Sequence, residues 1–180
     1  MSRLSDELLA QARMLARRDS RRPKDSSLRR SISASYYCLF HFLGEECTRL
    51  TVGSAHDRAI FRNFASRAFV HGKMKAVCEE FAKTTPRNAL LKPFWNPPWS
   101  VGKNPEVQII ALNFVALQDQ RHAADYDLSQ HFTRQDADVA IGWAQDACRA
   151  WARLKTSQEE VALLLALSLM LWPSLGGRST

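Results

Sequence analysis

Residues 26–50 are the most constraining stretch of this 180-residue chain. Ser26 or Ser27 opens a helix on which Leu28, Ile32, Tyr36, Leu39, Leu43, Cys47 and Leu50 recur along one side. Tyr37 and Phe40 add a second apolar side. A helix apolar on two sides must be covered by neighbours on both. The expected fold is therefore all-α, an up-and-down antiparallel bundle built around this helix as one domain over 1–180.

The remaining segments also carry the helical period. Residues 4–18 place Leu4, Leu8, Ala12 and Leu15 on one face, with Ser5 as a candidate cap. A helix from about Ala55 is expected to turn Ile60, Phe61, Phe64 and Ala68 inward, then continue or kink at Gly72 toward Met74, Val77, Cys78 and Phe81. Residues 83–104 hold four prolines and two tryptophans, which predicts an irregular excursion. Within it "PFWNPPW" (93–99) reads as a lid over the bundle or as a partner-binding loop. A helix follows over 105–127 with Pro105 in its first turn. Another runs from a Thr133 cap to about Leu154. The last begins at "SQEE" (157–160), which has the form of a capping box, and ends at Pro173.

That last helix contains "VALLLALSLMLW" (161–172), apolar nearly all round. It must be covered, either as a cap on the bundle or as a dimer interface over 156–172; the interface is the preferred expectation. Twelve residues are too few to cross a bilayer. The N-terminus lacks an apolar signal region, so a cytoplasmic protein without membrane contact is expected. Cys38, Cys47, Cys78 and Cys148 form no CxxC and have no zinc spacing, which suits reduced, buried thiols. No metal and no cofactor is implied.

The formal net charge of +7 is unevenly spread. Residues 1–30 hold nine Lys/Arg against four Asp/Glu. Arg17, Arg18, Arg21, Arg22, Arg29 and Arg30 make this segment a candidate phosphate-attracting patch, and a solvated basic loop is the alternative.

The second candidate region is the end of the 105–127 helix. Val107, Ile110, Phe114, Leu117 and Arg121 follow one another in steps of three and four. Arg121 therefore continues a buried stripe, and Asp125 extends it by a turn. A core-facing guanidinium needs a partner. Asp125 supplies one at i, i+4, with Tyr126 beside it. Such an arrangement is either an internal clamp or a planar donor held ready for phosphate. Two further pairs have i, i+4 spacing, Tyr37 with His41 and Arg67 with His71. A histidine facing Arg121 would allow acid–base chemistry on a phosphodiester, so His41 and His71 are the catalytic candidates. No P-loop, HExxH or GxSxG motif occurs.

Two of these segments resemble one family. "RRSISASYYCLFHFLGEE" (29–46) resembles the second helix of HEPN domains, and "RHAADYD" (121–127) is similar to the Arg-x-x-Ala-Asp-Tyr signature near the end of a later helix. The resemblance covers roughly residues 4–155. It implies an antiparallel helical bundle that commonly forms homodimers and binds nucleotide or RNA. It also implies, for many members, metal-independent ribonuclease activity, sometimes as a toxin beside a nucleotidyltransferase antitoxin. The family's nuclease motif puts four to six residues between the arginine and the His. Here Tyr126, Asp127 and Leu128 stand at those positions. A formal Arg-to-His spacing at Arg49 and His56 crosses a helix break instead.

The resulting expectation is nucleotide or RNA phosphate binding without catalysis, through Arg121, Asp125, Tyr126, Tyr37, His41 and Arg67 with the basic N-terminal segment. The alternatives are a ribonuclease using His41 or His71, and a regulatory dimer in which Arg121 and Asp125 only lock the bundle.

Overall fold

The computed structural model describes residues 3–19 and 21–175, with the side chains of residues 90 and 172–175 excepted. Among the described residues there are seven α-helices and no strand: α1 (Arg3–Arg17), α2 (Asp25–Val52), α3 (Ala59–Ser66), α4 (His71–Phe81), α5 (Pro105–Tyr126), α6 (Arg134–Ser157) and α7 (Glu159–Leu175). They pack as an all-helical bundle. No helix is long and apolar enough to cross a membrane.

α2 is the central helix. It packs against α1, α3, α5, α6 and α7. Its first apolar side is buried from Leu28 through Ile32, Tyr36, Leu39 and Leu43 to Cys47. Its second side, Tyr37 and Phe40, is half-buried under α4 and α5 side chains. All four cysteines are free and buried.

Helix starts follow local chemistry. Asn104 caps α5, its side chain accepting from the N–H of Glu106 and Val107, with Pro105 in the first turn. Thr133 and Asp136 form a reciprocal capping box at α6. The excursion between α4 and α5 is anchored at its start by Glu80, whose carboxylate accepts from Lys83 and from the backbone N–H of Arg87 and Asn88. Further along, Trp95 stacks on Phe81 with 5.1 Å between ring centroids. The lid reading holds for Trp95, which is buried, and not for Trp99, which is exposed. Gly102 is what lets Trp95 lie flat there: a Cβ at Gly102 would sit 2.0 Å from the indole.

Several expectations are corrected. The buried face of α1 is Ser5, Leu9, Ala12 and Ala16, one residue round from the expected stripe; Leu4 is exposed and Ser5 lies inside the helix rather than capping it. No capping box forms at 157–160, because α6 continues to Ser157, whose hydroxyl donates back to the Arg153 carbonyl. The largest correction is α3. Ile60, Phe61 and Phe64 are 62%, 61% and 68% exposed. The helix is turned inside out because its polar side has work to do at the end of α2: Arg62 donates to the carbonyls of Gly53 and Ala55. α7 lies against α2, α4 and α6, burying Val161, Ala162, Leu165, Ala166 and Leu169, while Leu163 and Leu171 stay exposed.

Arg29 fixes the junction of α2, α5 and α6. Its guanidinium donates to the carbonyls of Ala124, Asp127 and Gln130, and pairs with Asp25. It also lies over the Phe132 ring. Helix ends leave carbonyls without intrahelical partners, and this side chain satisfies one in the last turn of α5, Ala124, and two just beyond it. Arg29→Ala is expected to lower stability by about 2–4 kcal/mol, read as the midpoint of urea unfolding. Gly102→Ala is expected to cost about 1–3 kcal/mol by overpacking against Trp95, measured the same way, with a change in indole fluorescence.

Candidate functional site

The site lies where α2, α4 and α5 meet. α2 supplies a column one helical turn apart, Ser33, Tyr37 and His41, and beside it Tyr36 and Phe40. α5 supplies Arg121 and Asp125, and α4 begins with His71. Lys75, one turn beyond His71, pairs with Asp119 of α5 at 2.6 Å and with Glu79, which holds α4 against α5.

Arg121 and Asp125 pair as their spacing predicts, with Nε 2.7 Å from Oδ2. The N–H is not directed at the oxygen, so the contact is coulombic rather than a hydrogen bond. Nη2 donates to the Tyr37 hydroxyl at 3.0 Å. Asp125 also accepts from the Ser33 hydroxyl at 2.6 Å. The guanidinium carbon lies 5.6 Å from the ring centroids of Tyr37 and Tyr126 and 5.9 Å from that of Tyr36. The Arg121 and Asp125 side chains are 21% and 20% exposed, so the pair is neither bulk-solvated nor closed off. Burial works against the charge of Arg121, but the Tyr37 hydroxyl, Asp125 and Tyr126 outweigh it and raise its pKa. Nη1 has no hydrogen-bond partner among the described residues and is not a buried atom.

His71 joins this group through tertiary contacts. Its Nδ1 lies 2.6 Å from the hydroxyl of Tyr36, and its ring stacks on Phe40 at 3.9 Å. Tyr36 is wholly buried, and desolvation pushes its pKa up, so the phenol keeps its proton. His71 is the one partner of that hydroxyl among the described residues. A buried O–H without an acceptor is costly, so Tyr36 donates and Nδ1 accepts. Burial, then Arg121, then His41 lower the pKa of His71. The ring is therefore neutral near pH 7, with its proton on Nε2. His41 is more exposed; it stacks on Tyr37, and partial burial lowers its pKa as well.

Other predicted residues lie elsewhere. Arg67 and His71 do not share a helix: Arg67 follows α3, is exposed and lies over Phe64, whereas His71 opens α4. Tyr126, by contrast, stays at the site, its ring 5.6 Å from the Arg121 guanidinium carbon, although the residue is largely exposed beside His122. Of the basic segment, Arg29 is the clamp described above, and Arg17 pairs with Asp138 at 3.0 Å. Arg18, Arg21, Arg22 and Arg30 are exposed, with no ion pair to described residues. Ser33, Tyr36 and Phe40 were not anticipated as site residues; the column Ser33–Tyr37–His41 is the sequence signal that points to the first of them.

Phe40 and His41 also form one wall of a cleft of about 510 Å³ between α2 and α3. Arg49, Arg62, Asn63 and Phe69 line it further on. Among the described residues no group of three or more His, Cys, Asp or Glu is placed to hold a metal ion.

No protein-family model, curated protein or solved structure matches this chain.

Because folded His71 and His41 have pKa values below the ordinary 6.5, the unfolded chain binds more protons than the folded one as the pH falls through that value. Stability is thus expected to decline between about pH 7.5 and pH 5.5. A smaller decline is expected in His71→Gln, as read from melting temperatures across that range.

Proposed function

We propose that this chain is a HEPN-like bundle that holds a phosphate of nucleotide or RNA at Arg121, without cleaving it. The observation that carries this reading is the state of the guanidinium. Asp125 and Tyr37 hold two of its nitrogens, and Nη1 is left unbonded and open. An arginine oriented by neighbours and keeping free N–H groups suits a phosphate oxygen. The exposed Arg18, Arg21, Arg22 and Arg30 add a general attraction for polyanions.

Binding is favoured over cleavage by the state of His71. Its Nδ1 lone pair is taken by Tyr36, and its other nitrogen carries the proton. In this tautomer the ring donates and does not accept, so it is not set up as a general base.

A second reading has an observation of its own. Ser33, Asp125, Arg121 and Tyr37 form a continuous polar chain joining α2 to α5. That chain would lock the two helices with no ligand at all.

Affinity for a short single-stranded RNA, measured by fluorescence anisotropy, is expected to fall as salt rises. It is expected to fall about tenfold or more in Arg121→Ala. A folded Arg121→Ala with unchanged affinity would overturn the binding reading. A melting temperature equal to that of the parent chain would overturn the lock. RNA shortened by excess protein in chelator would restore the nuclease alternative, with His41→Ala identifying its base.

A further inference from the structure

The polar groups around Arg121 leave an uneven remainder. The acceptors are each engaged once: Asp125 Oδ1 by Ser33, Asp125 Oδ2 by Arg121, the Tyr37 oxygen by Arg121, and His71 Nδ1 by Tyr36. What is left over is hydrogen. Arg121 Nη1 keeps its N–H groups. Tyr37 accepts from Arg121 and has no acceptor for its own proton among the described residues. His71 keeps its Nε2–H, and Nε2 is not a buried atom. Arg121 and His71 lie against the same two rings, 5.9 and 5.6 Å from the Tyr36 centroid and 5.6 and 6.0 Å from the Tyr37 centroid.

We infer that these three donors receive a terminal phosphate monoester, and that Tyr36 is the positioning residue that makes His71 one of them. This rests on the phosphate reading above and narrows its ligand. A terminal phosphate presents three non-bridging oxygens, one for each donor side chain. An internal diester presents two, so one oxygen must serve two of the donors in poorer geometry, which costs affinity. Because His71 is neutral, the donor set carries a single positive charge, that of Arg121, which Asp125 already balances. Hydrogen-bond number rather than added charge then separates the two ligands. Two sources have this chemistry, a free nucleoside monophosphate and the phosphorylated end of an RNA. The nucleoside is assigned to the neighbouring cleft of about 510 Å³, which the three donors do not line but whose wall residues Phe40 and His41 stack on His71 and Tyr37.

The test uses the full chain and four probes: inorganic phosphate, adenosine 5′-monophosphate, and two short oligoribonucleotides identical except for a 5′-phosphate or a 5′-hydroxyl. The phosphorylated oligonucleotide is expected to bind about 3–10-fold tighter than its hydroxyl twin. Tight binding of the mononucleotide as well identifies free nucleotide as a sufficient ligand; binding of the phosphorylated oligonucleotide alone identifies the RNA end. Equal affinity for the twins, with both weakened by Arg121→Ala, overturns this inference and leaves general phosphate binding standing. Absence of binding to every probe overturns both. Nitrogen-15 spectra of the unmodified chain are expected to show His71 protonated on Nε2; protonation on Nδ1 removes the role given to Tyr36. In Tyr36→Phe the His71 signals should move toward a mixture of tautomers and the preference for the 5′-phosphate should shrink. A folded Tyr36→Phe with the preference intact also removes that role.

Discussion

The carbonyl groups at the ends of the helices need donors, and in this fold arginines from other elements supply them. Arg29 does so for α5. Arg134 donates to the Ala16 carbonyl in the last turn of α1 and to the Asp19 carbonyl just beyond it. Arg58 and Arg62 serve the end of α2 through Val52, Gly53 and Ala55. Each guanidinium closes one helix end and ties it to a different part of the chain. The candidate site depends on the first of these ties. Ala124 stands between Arg121 and Asp125, so the guanidinium that holds its carbonyl also sets where the α5 end meets α2. The same requirement explains α3, whose apolar face looks outward because Arg62 must look in. Leaving large apolar side chains in water forgoes roughly 1.5–3 kcal/mol each, and the bonds at the end of α2 offset part of that.

These ties also change what the net charge means. A chain at +7 with a basic first segment suggests a surface patch for polyanions. Yet Arg29 faces backbone carbonyls, and Arg17 faces Asp138. The long-range field of these cations persists, but the N–H groups of Arg29 are engaged and one nitrogen of Arg17 is taken by Asp138. Fewer cations are therefore left with free N–H groups than the composition suggests, and Arg121 is the one among them with aromatic walls and a neighbouring histidine.

Much of this was legible in the sequence where local rules suffice. The two apolar sides of α2, Pro105 at the start of α5, the Thr133 cap and the Arg121–Asp125 pair are all set by spacing within one helix. What was not legible is tertiary. Periodicity finds the stripe of Ile60, Phe61 and Phe64 but not which way it faces, since that is decided by carbonyls at the end of another helix. The Ser157 signature failed because α6 keeps its hydrogen bonds for another turn. Arg29 looked like a free cation because its acceptors lie some hundred residues away. The bond between Tyr36 and His71 crosses from α2 to α4, and no spacing rule connects them.

Ser33, Tyr36, Tyr37, Phe40 and His41 all stand on two and a half turns of α2, directly after Arg29. Each residue advances a helix by about 100°. Inserting or deleting one residue between Arg29 and Ser33 would throw this row out of phase with Arg121 and His71 while leaving the clamp in place. That stretch of α2 cannot change length. The exposed stretch 96–99 lies between Trp95, which packs on Phe81, and the Asn104 cap of α5. Insertions there would leave both anchors seated, so the part of the gene free to grow or shrink lies far from the part that must keep count.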